Sequence, residues 1–142
     1  MTTGVPRWCW AVAVLALPVA WLLARAGHGM APPASLGGLA WLVLLAAAEE
    51  VIFRGGLQAA LARWQPALAT TRWGLSGANL LTSVVFSAAH LWAHTPLQAL
   101  AVFPVSLLLG ASFEHSARLR VPVALHIWFN AALYLMSALQ LR

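Results

Sequence analysis

The sequence predicts an all-α protein, a polytopic membrane helix bundle with about five transmembrane helices. Of its 142 residues, 62% are hydrophobic and only 8% are charged, and the mean hydropathy is +0.82. A soluble domain carries about 25% charged residues, so this chain has too little charge for a water-facing surface of its size. Its length predicts one integral-membrane domain over residues 1–142.

Five apolar stretches are expected to be long enough to cross roughly 30 Å of hydrocarbon at 1.5 Å per residue. They are approximately Trp8–Ala24, Ser35–Phe53, Leu80–Trp92, Leu97–Phe113 and Val121–Leu141. The third is the shortest of them. Glycines and prolines between Gly27 and Gly38 predict a loop between the first two spans.

The first stretch has two interpretations. Arg7, an apolar run and then Ala24-Arg25-Ala26 resemble a secretory signal with its cleavage site. The apolar run is about 17 residues long, beyond the usual 7–15 of a signal core, and Pro18 lies inside it. We therefore expect a retained first helix.

The distribution of the charged residues indicates a membrane protein and argues against nucleic-acid binding. The net charge of +5 comes from arginines that stand singly, without the basic cluster that nucleic-acid binding requires. In the five-span arrangement Arg7, Arg63, Arg72, Arg118 and Arg120 share one side, against Arg25 and Arg142 on the other. This bias predicts a cytoplasmic N-terminus in a bacterial inner membrane. Cys9 is alone, so no disulfide is expected.

Three ionisable residues follow one another in the second span. An ionised side chain within a span costs roughly 2.5–3.5 kcal/mol on insertion scales, so Glu49 and Glu50 require a reason. Glu50 and Arg54 are i,i+4 neighbours with the acid first, the better orientation for an ion pair. Glu49 lies about 100° around the helix and is not paired by this geometry, which makes it a candidate general base.

Two further pairs at i,i+4 spacing lie in other spans. Phe86 and His90 are separated by small residues that let another helix approach closely. His126 and Asn130 project from one face of the fifth span, and two neutral donors aimed at one point suit a tetrahedral oxyanion. The alternative for each polar residue is an interhelical hydrogen bond worth about 1 kcal/mol.

Together these residues resemble a known family. The patterns Glu49-Glu50-x-x-x-Arg54-Gly55, Phe86-x-x-x-His90 and His126-x-x-x-Asn130 are similar to the three motifs of the CAAX prenyl protease and bacteriocin-processing (CPBP) family, in the same order. The resemblance covers about residues 40–135, the family-like protease core.

The resemblance implies a glutamic-type intramembrane endopeptidase without a cofactor. Glu49 would activate the attacking water with help from His90, while His126 and Asn130 would hold the oxyanion. Glu50, Arg54 and Phe86 would support the site. The expected partners are the lipid bilayer and a membrane-anchored substrate protein. The chain is short, similar to compact bacterial relatives of protein-sorting systems, which favours cleavage near a C-terminal membrane anchor over a prenylated substrate.

Other classes stay open at this stage. Glu49, His90 and His126 are also ligand types that zinc accepts, so a zinc-dependent protease is the nearest alternative, although no His-Glu-x-x-His pattern is present. A proton-coupled transporter would use the same residues as a relay. A non-catalytic immunity or scaffold protein would keep the fold alone. Ser83 and Ser87 lie near His90 but complete no recognisable serine-protease set.

Overall fold

The computed structural model describes residues 7–28, 33, 35–72 and 74–140. In chain order, its helices are α1 (Arg7–Leu23), α2 (Leu36–Trp64), α3 (Pro66–Ala69), α4 (Gly77–His90), α5 (Pro96–Ser116) and α6 (Arg120–Gln140). A minimal antiparallel ladder pairs β1 (Thr71–Arg72) with β2 (Leu75–Ser76). The predicted all-α membrane helix bundle is confirmed.

Four helices among the described residues are long and apolar enough to cross a membrane. They are Arg7–Gly27, which extends α1 by a wide turn, Leu36–Trp64, Pro96–Ser116 and Arg120–Gln140. The third predicted span, Leu80–Trp92, corresponds to α4, which has 14 residues and extends only about 21 Å at 1.5 Å per residue. The full-length spans in this part of the chain therefore number four, where the sequence predicted about five.

Helix α2 changes its winding midway. Its segment Val51–Gln58 is π-helical, with hydrogen bonds from i to i+5 instead of i to i+4. Two adjacent glycines, which are poor helix formers, lie within this segment. Because a wider turn holds more residues, side chains four positions apart stay closer to one line along the helix. Glu50, Arg54 and Gln58 follow this spacing, and all three are buried in the bundle.

Helices α4 and α5 pack closely against each other at Gly110. A Cβ atom at this position would overlap the Asn79 side chain and lie 2.9 Å from the Gln58 Oε1 atom. Gly110 therefore allows α5 to approach both residues. The N-terminus of α4 is capped by Ser76, whose Oγ accepts a hydrogen bond from the Asn79 backbone N–H at 2.9 Å, as is typical of helix starts.

Helix α1 packs along α6. The indole N–H of Trp128 donates a hydrogen bond to the Ala13 carbonyl at 2.7 Å. A small apolar core joins α1 to α5 and α6, and its fully or largely buried members are Cys9, Leu109, Val121 and Leu125. These contacts dock the first helix on the bundle that carries the polar motifs.

The outer surface of the bundle is apolar. Large side chains such as Leu36 and Trp92 are 86% and 96% exposed, and many other large apolar side chains are exposed as well. So many exposed apolar side chains are unsuited to water and require lipid around them. The polar side chains lie instead between α2, α4, α5 and α6.

The close approach at Gly110 leads to a prediction about stability. Gly110→Ala should destabilise the protein by about 1–3 kcal/mol, the usual cost of overpacking a well-packed interior. Thermal unfolding of the purified protein in detergent would measure this loss. Gly37→Ala is the matched control, because a Cβ there meets nothing closer than the Ser35 Oγ at 3.8 Å. Equal unfolding midpoints for the two variants would contradict the packing argument.

Candidate active site

Glu50 and Arg54 form an ion pair at the centre of the polar region. The Arg54 Nε atom lies 3.2 Å from the Glu50 Oε2 atom, and both side chains have no exposed surface. Arg54 also donates from Nη2 to the backbone carbonyl of Ser106 at 3.2 Å and to its hydroxyl at 3.0 Å. Buried charges are tolerated only when paired and hydrogen-bonded, and here α5 supplies the additional acceptors. The pairing predicted from the i,i+4 spacing is present.

His126 lies between the two glutamates. Its Nδ1 atom is 2.8 Å from the Glu50 Oε1 atom, and its Nε2 atom is 3.6 Å from the Glu49 Oε2 atom. Because an ionised carboxylate only accepts hydrogen bonds, the short contact implies a proton on Nδ1. The longer contact exceeds hydrogen-bond distance. Its Nε2 therefore faces Glu49 without binding it directly.

The two glutamates differ in access. The side chain of Glu50 is fully buried, whereas that of Glu49 is 25% exposed. One oxygen of Glu50 faces Arg54 in the ion pair, and the other lies within hydrogen-bond distance of His126. Glu49 is the carboxylate with room for another molecule. The sequence separated the two residues by helical geometry but did not reveal the contact between Glu50 and His126.

Phe86 lies against most of the other members of the site. The guanidinium carbon of Arg54 is 5.0 Å from its ring centroid, a distance at which a cation is attracted to an aromatic face. Its ring is also 4.6 Å from that of His90, 6.1 Å from that of His126 and 4.8 Å from that of Phe53. Phe86 therefore connects α2, α4 and α6 within the site.

His90 has a defined tautomer. Its Nδ1 atom is 2.9 Å from the Phe86 backbone carbonyl, and a carbonyl only accepts, so Nδ1 carries the proton. A neutral His90 then presents a lone pair at Nε2, as a proton acceptor requires. The ring of His94 stacks on it, with centroids 5.5 Å apart.

Asn130 lies one helical turn beyond His126 on α6. Its half-buried side chain faces a small groove between α2 and α6, which is lined by Leu39, Leu42, Val43, Ile127, Ala131 and Tyr134. Within the described part of the chain, no hydrogen bond of this side chain is present. The structure thus groups Glu49, Glu50, Arg54 and His126 closely, joins His90 through Phe86, and places Asn130 beside them on α6.

The two serines near His90 have other hydrogen-bond partners. Ser83 donates its hydroxyl proton to the Asn79 Oδ1 atom at 3.2 Å, and Ser87 donates to the Ala99 carbonyl at 2.5 Å. Among the described residues, neither hydroxyl is bonded to an imidazole. The arrangement gives no support to a serine nucleophile.

The zinc alternative is not favoured by the positions of the side chains either. In residues 7–140, apart from the few positions not described, no three His, Cys, Asp or Glu side chains are grouped to hold a metal ion. In particular, Glu49, His90 and His126 do not form such a group.

A second set of buried polar residues was not predicted from the sequence. Asn79 and Ser83 on α4 and Ser106 on α5 have no exposed surface, and Gln58 on α2 has 1%. Gln58 donates to the Glu114 Oε1 atom at 2.8 Å, and the Ser76 hydroxyl donates to the same oxygen. The sequence did contain a signal for this set, because polar residues at intervals of four lie on one face of a helix. Glu50, Arg54 and Gln58 have this spacing in α2, and Asn79 and Ser83 have it in α4.

The fold and the site together define a class of protein. Long apolar helices that surround buried glutamates, an arginine and histidines form an integral membrane protein with a polar site in the span region, and such residues mark function there. Residues 31–132 match the family model described as type II CAAX prenyl endopeptidase Rce1-like, and the chain belongs to that family. Neither a curated protein nor a solved structure shows significant similarity to it.

The family assignment confirms the resemblance found in the motifs. All of the motif residues from Glu49 to Asn130 lie within the matched range. The protein is therefore a CAAX-type intramembrane protease in the general sense, an integral membrane hydrolase that acts on membrane-associated substrates.

The unequal burial of the two glutamates predicts unequal effects on folding. Glu50→Gln removes the charge that faces both Arg54 and His126, and loss of one partner of a buried ion pair costs about 3–5 kcal/mol. Glu49→Gln should have a much smaller effect on stability, because this side chain is partly exposed. Thermal unfolding of both variants in the same detergent would compare them. A larger loss for Glu49→Gln would contradict the assigned roles.

Proposed function

We propose that this chain is a glutamic-type intramembrane endopeptidase in which Glu49 activates the attacking water. The observation that carries the proposal is the difference between the adjacent glutamates. Glu50 is fixed between Arg54 and His126, whereas Glu49 is partly exposed and faces the Nε2 atom of His126 across 3.6 Å. A general base must be within reach of the water whose proton it takes, and Glu49 is the glutamate that water can reach.

The reaction follows from these positions. Glu49 takes a proton from water while the water oxygen attacks the carbonyl carbon of the scissile peptide bond. His90, whose Nε2 is free to accept a proton, assists in holding this water. The proton is then delivered to the leaving nitrogen, the C–N bond breaks, and an acid and an amine result. General-base catalysis of this type contributes typically 10²–10⁴-fold.

The oxyanion would be held from α6. Asn130 offers a side-chain amide that forms no hydrogen bond within the described residues, and His126 offers Nε2. Because Nδ1 of His126 donates to Glu50, donation from Nε2 requires the doubly protonated ring, whose charge Glu50 balances at 2.8 Å. Donors of this kind act strongly where water is excluded.

The proposed substrate is a membrane-anchored protein cut near its C-terminal segment. The catalytic groups lie among helices with apolar outer faces, so a peptide bond must be presented at or within the lipid. The family description names a CAAX prenyl endopeptidase, and the resemblance to bacterial relatives of protein-sorting systems favours anchors without a prenyl group. We further propose an inner-membrane location with a cytoplasmic N-terminus, on the basis of the arginine distribution.

Glu49→Gln tests the central step. The variant should be inactive because only the base is removed, and it should keep the wild-type unfolding midpoint. Activity would be measured in liposomes with two internally quenched peptides, one ending in a prenylated cysteine and three residues, the other in an unprenylated apolar helix. Cleavage of the second peptide alone would support the proposed substrate class. Wild-type activity of Glu49→Gln would rule out the glutamic mechanism.

Asn130→Ala tests the oxyanion donor. Its kcat should fall by roughly 10²–10³-fold, the cost of losing one such donor, with little change in KM because the contact forms mainly in the transition state. The metal content of the same preparation should be measured in parallel. A mild kinetic effect together with stoichiometric zinc would replace this proposal with the metalloprotease.

A further inference from the structure

Besides Glu50, Arg54 contacts a serine, Ser106, that the catalytic proposal does not use. Its Nη2 atom donates to both the carbonyl and the hydroxyl of Ser106, and these groups are completely buried. The Arg54 Nη1 atom forms no hydrogen bond with any residue that the structure describes. The orientation of the guanidinium group therefore depends on Ser106, on the Phe86 ring and on Glu50 itself.

The hydroxyl of Ser106 belongs to a chain of hydrogen bonds with a fixed direction. The Leu107 carbonyl only accepts, so the Asn79 Nδ2 atom donates to it at 3.0 Å. The Asn79 Oδ1 atom consequently accepts the Ser83 hydroxyl proton at 3.2 Å. Ser83 Oγ in turn accepts the Ser106 hydroxyl proton at 3.0 Å.

This direction determines what Ser106 presents to Arg54. Because the Ser106 hydroxyl donates its proton to Ser83, its Oγ atom accepts a hydrogen bond from the Arg54 guanidinium N–H at 3.0 Å. A hydroxyl without this constraint is free to rotate. Asn79, at the far end, is itself fixed by its backbone bond to Ser76 and by its close packing on Gly110.

We propose that Asn79, Ser83 and Ser106 are positioning residues for peptide hydrolysis. They orient Arg54, Arg54 holds Glu50, and Glu50 orients the His126 ring through Nδ1. The inference rests on the proposed function, because His126 acts in that reaction. Its effect reaches the reacting atoms through three contacts, of 3.0 Å, 3.2 Å and 2.8 Å.

A positioning role differs from a structural one in what it changes. If these residues only stabilised the fold, their removal would lower the unfolding midpoint and leave the turnover of the folded fraction unchanged. Displacement of His126 should instead lower kcat with KM unchanged. Misplacement by about 1 Å through a distant substitution costs up to 10²-fold. Ser106→Ala keeps the contact between Arg54 and the backbone carbonyl of residue 106. We therefore expect its kcat to fall by only about tenfold, less than this 10²-fold maximum.

The experiment compares Ser106→Ala and Ser83→Ala with Ser112→Ala. Ser112 is an equally buried serine of α5 whose hydroxyl donates only to the Leu109 carbonyl of its own helix. The kcat and KM of each would be measured in liposomes with the quenched peptide that the wild-type protein cleaves. The ¹⁵N signals of the imidazole groups would be recorded in detergent, with those of His126 assigned from His126→Gln. The chain contains only five histidines.

The proposal expects a lower kcat and shifted His126 signals in Ser106→Ala and Ser83→Ala, and neither change in Ser112→Ala. Ser83→Ala leaves both contacts between Ser106 and Arg54 in place. It therefore tests the proposal even if Ser106→Ala does not fold. Wild-type kcat and unshifted His126 signals in the folded variants, with Glu49→Gln inactive, would overturn the positioning role alone. Full activity of Glu49→Gln would overturn the proposed function, and the His126 signals would still decide whether the serines orient that ring.

Discussion

The buried ion pair between Glu50 and Arg54 is the interaction on which the rest of the polar region depends. Neither side chain has exposed surface, and isolated charges in an apolar interior cost several kcal/mol each. Each charge therefore needs polar partners from neighbouring helices. Glu50 receives the Nδ1 proton of His126 from α6, and Arg54 donates to Ser106 on α5. One pair on α2 thus determines which faces of α5 and α6 are turned inward.

The motif residues could be predicted from the sequence, because ionisable groups in an apolar chain stand out and the i,i+4 spacing defines their faces. The pairing of Glu50 with Arg54 follows from α2 alone. The contact between Glu50 and His126 joins residues 76 apart, and no local spacing reveals it. Membership of the family was likewise indicated by the three motifs and then shown by the match over residues 31–132.

Other features depend on tertiary structure. Ser83 and Ser106 are small, uncharged and common in membrane helices, so nothing local distinguishes them from Ser112, which bonds only within its own helix. Their importance appears only when α4 and α5 are packed together at Gly110. The π-helical segment of α2 was also not predicted. Hydropathy located the third apolar stretch, and the structure shows that its helix, α4, has only 14 residues.

The shortness of α4 has a consequence for the surrounding lipid. Arg54 of α2 contacts Ser106 of α5, and four residues later in each helix Gln58 contacts Gly110. Helix α2 therefore runs parallel to α5. The chain between them must return to the side where α2 begins, and α4 covers only about 21 Å of roughly 30 Å of hydrocarbon. A helix shorter than the hydrocarbon layer is accommodated by local thinning of the bilayer, by flanking side chains that reach the interface or by oligomerisation. Where the bilayer thins, the headgroup region comes closer to His90, the last residue of α4, and the route of water to the proposed site becomes shorter.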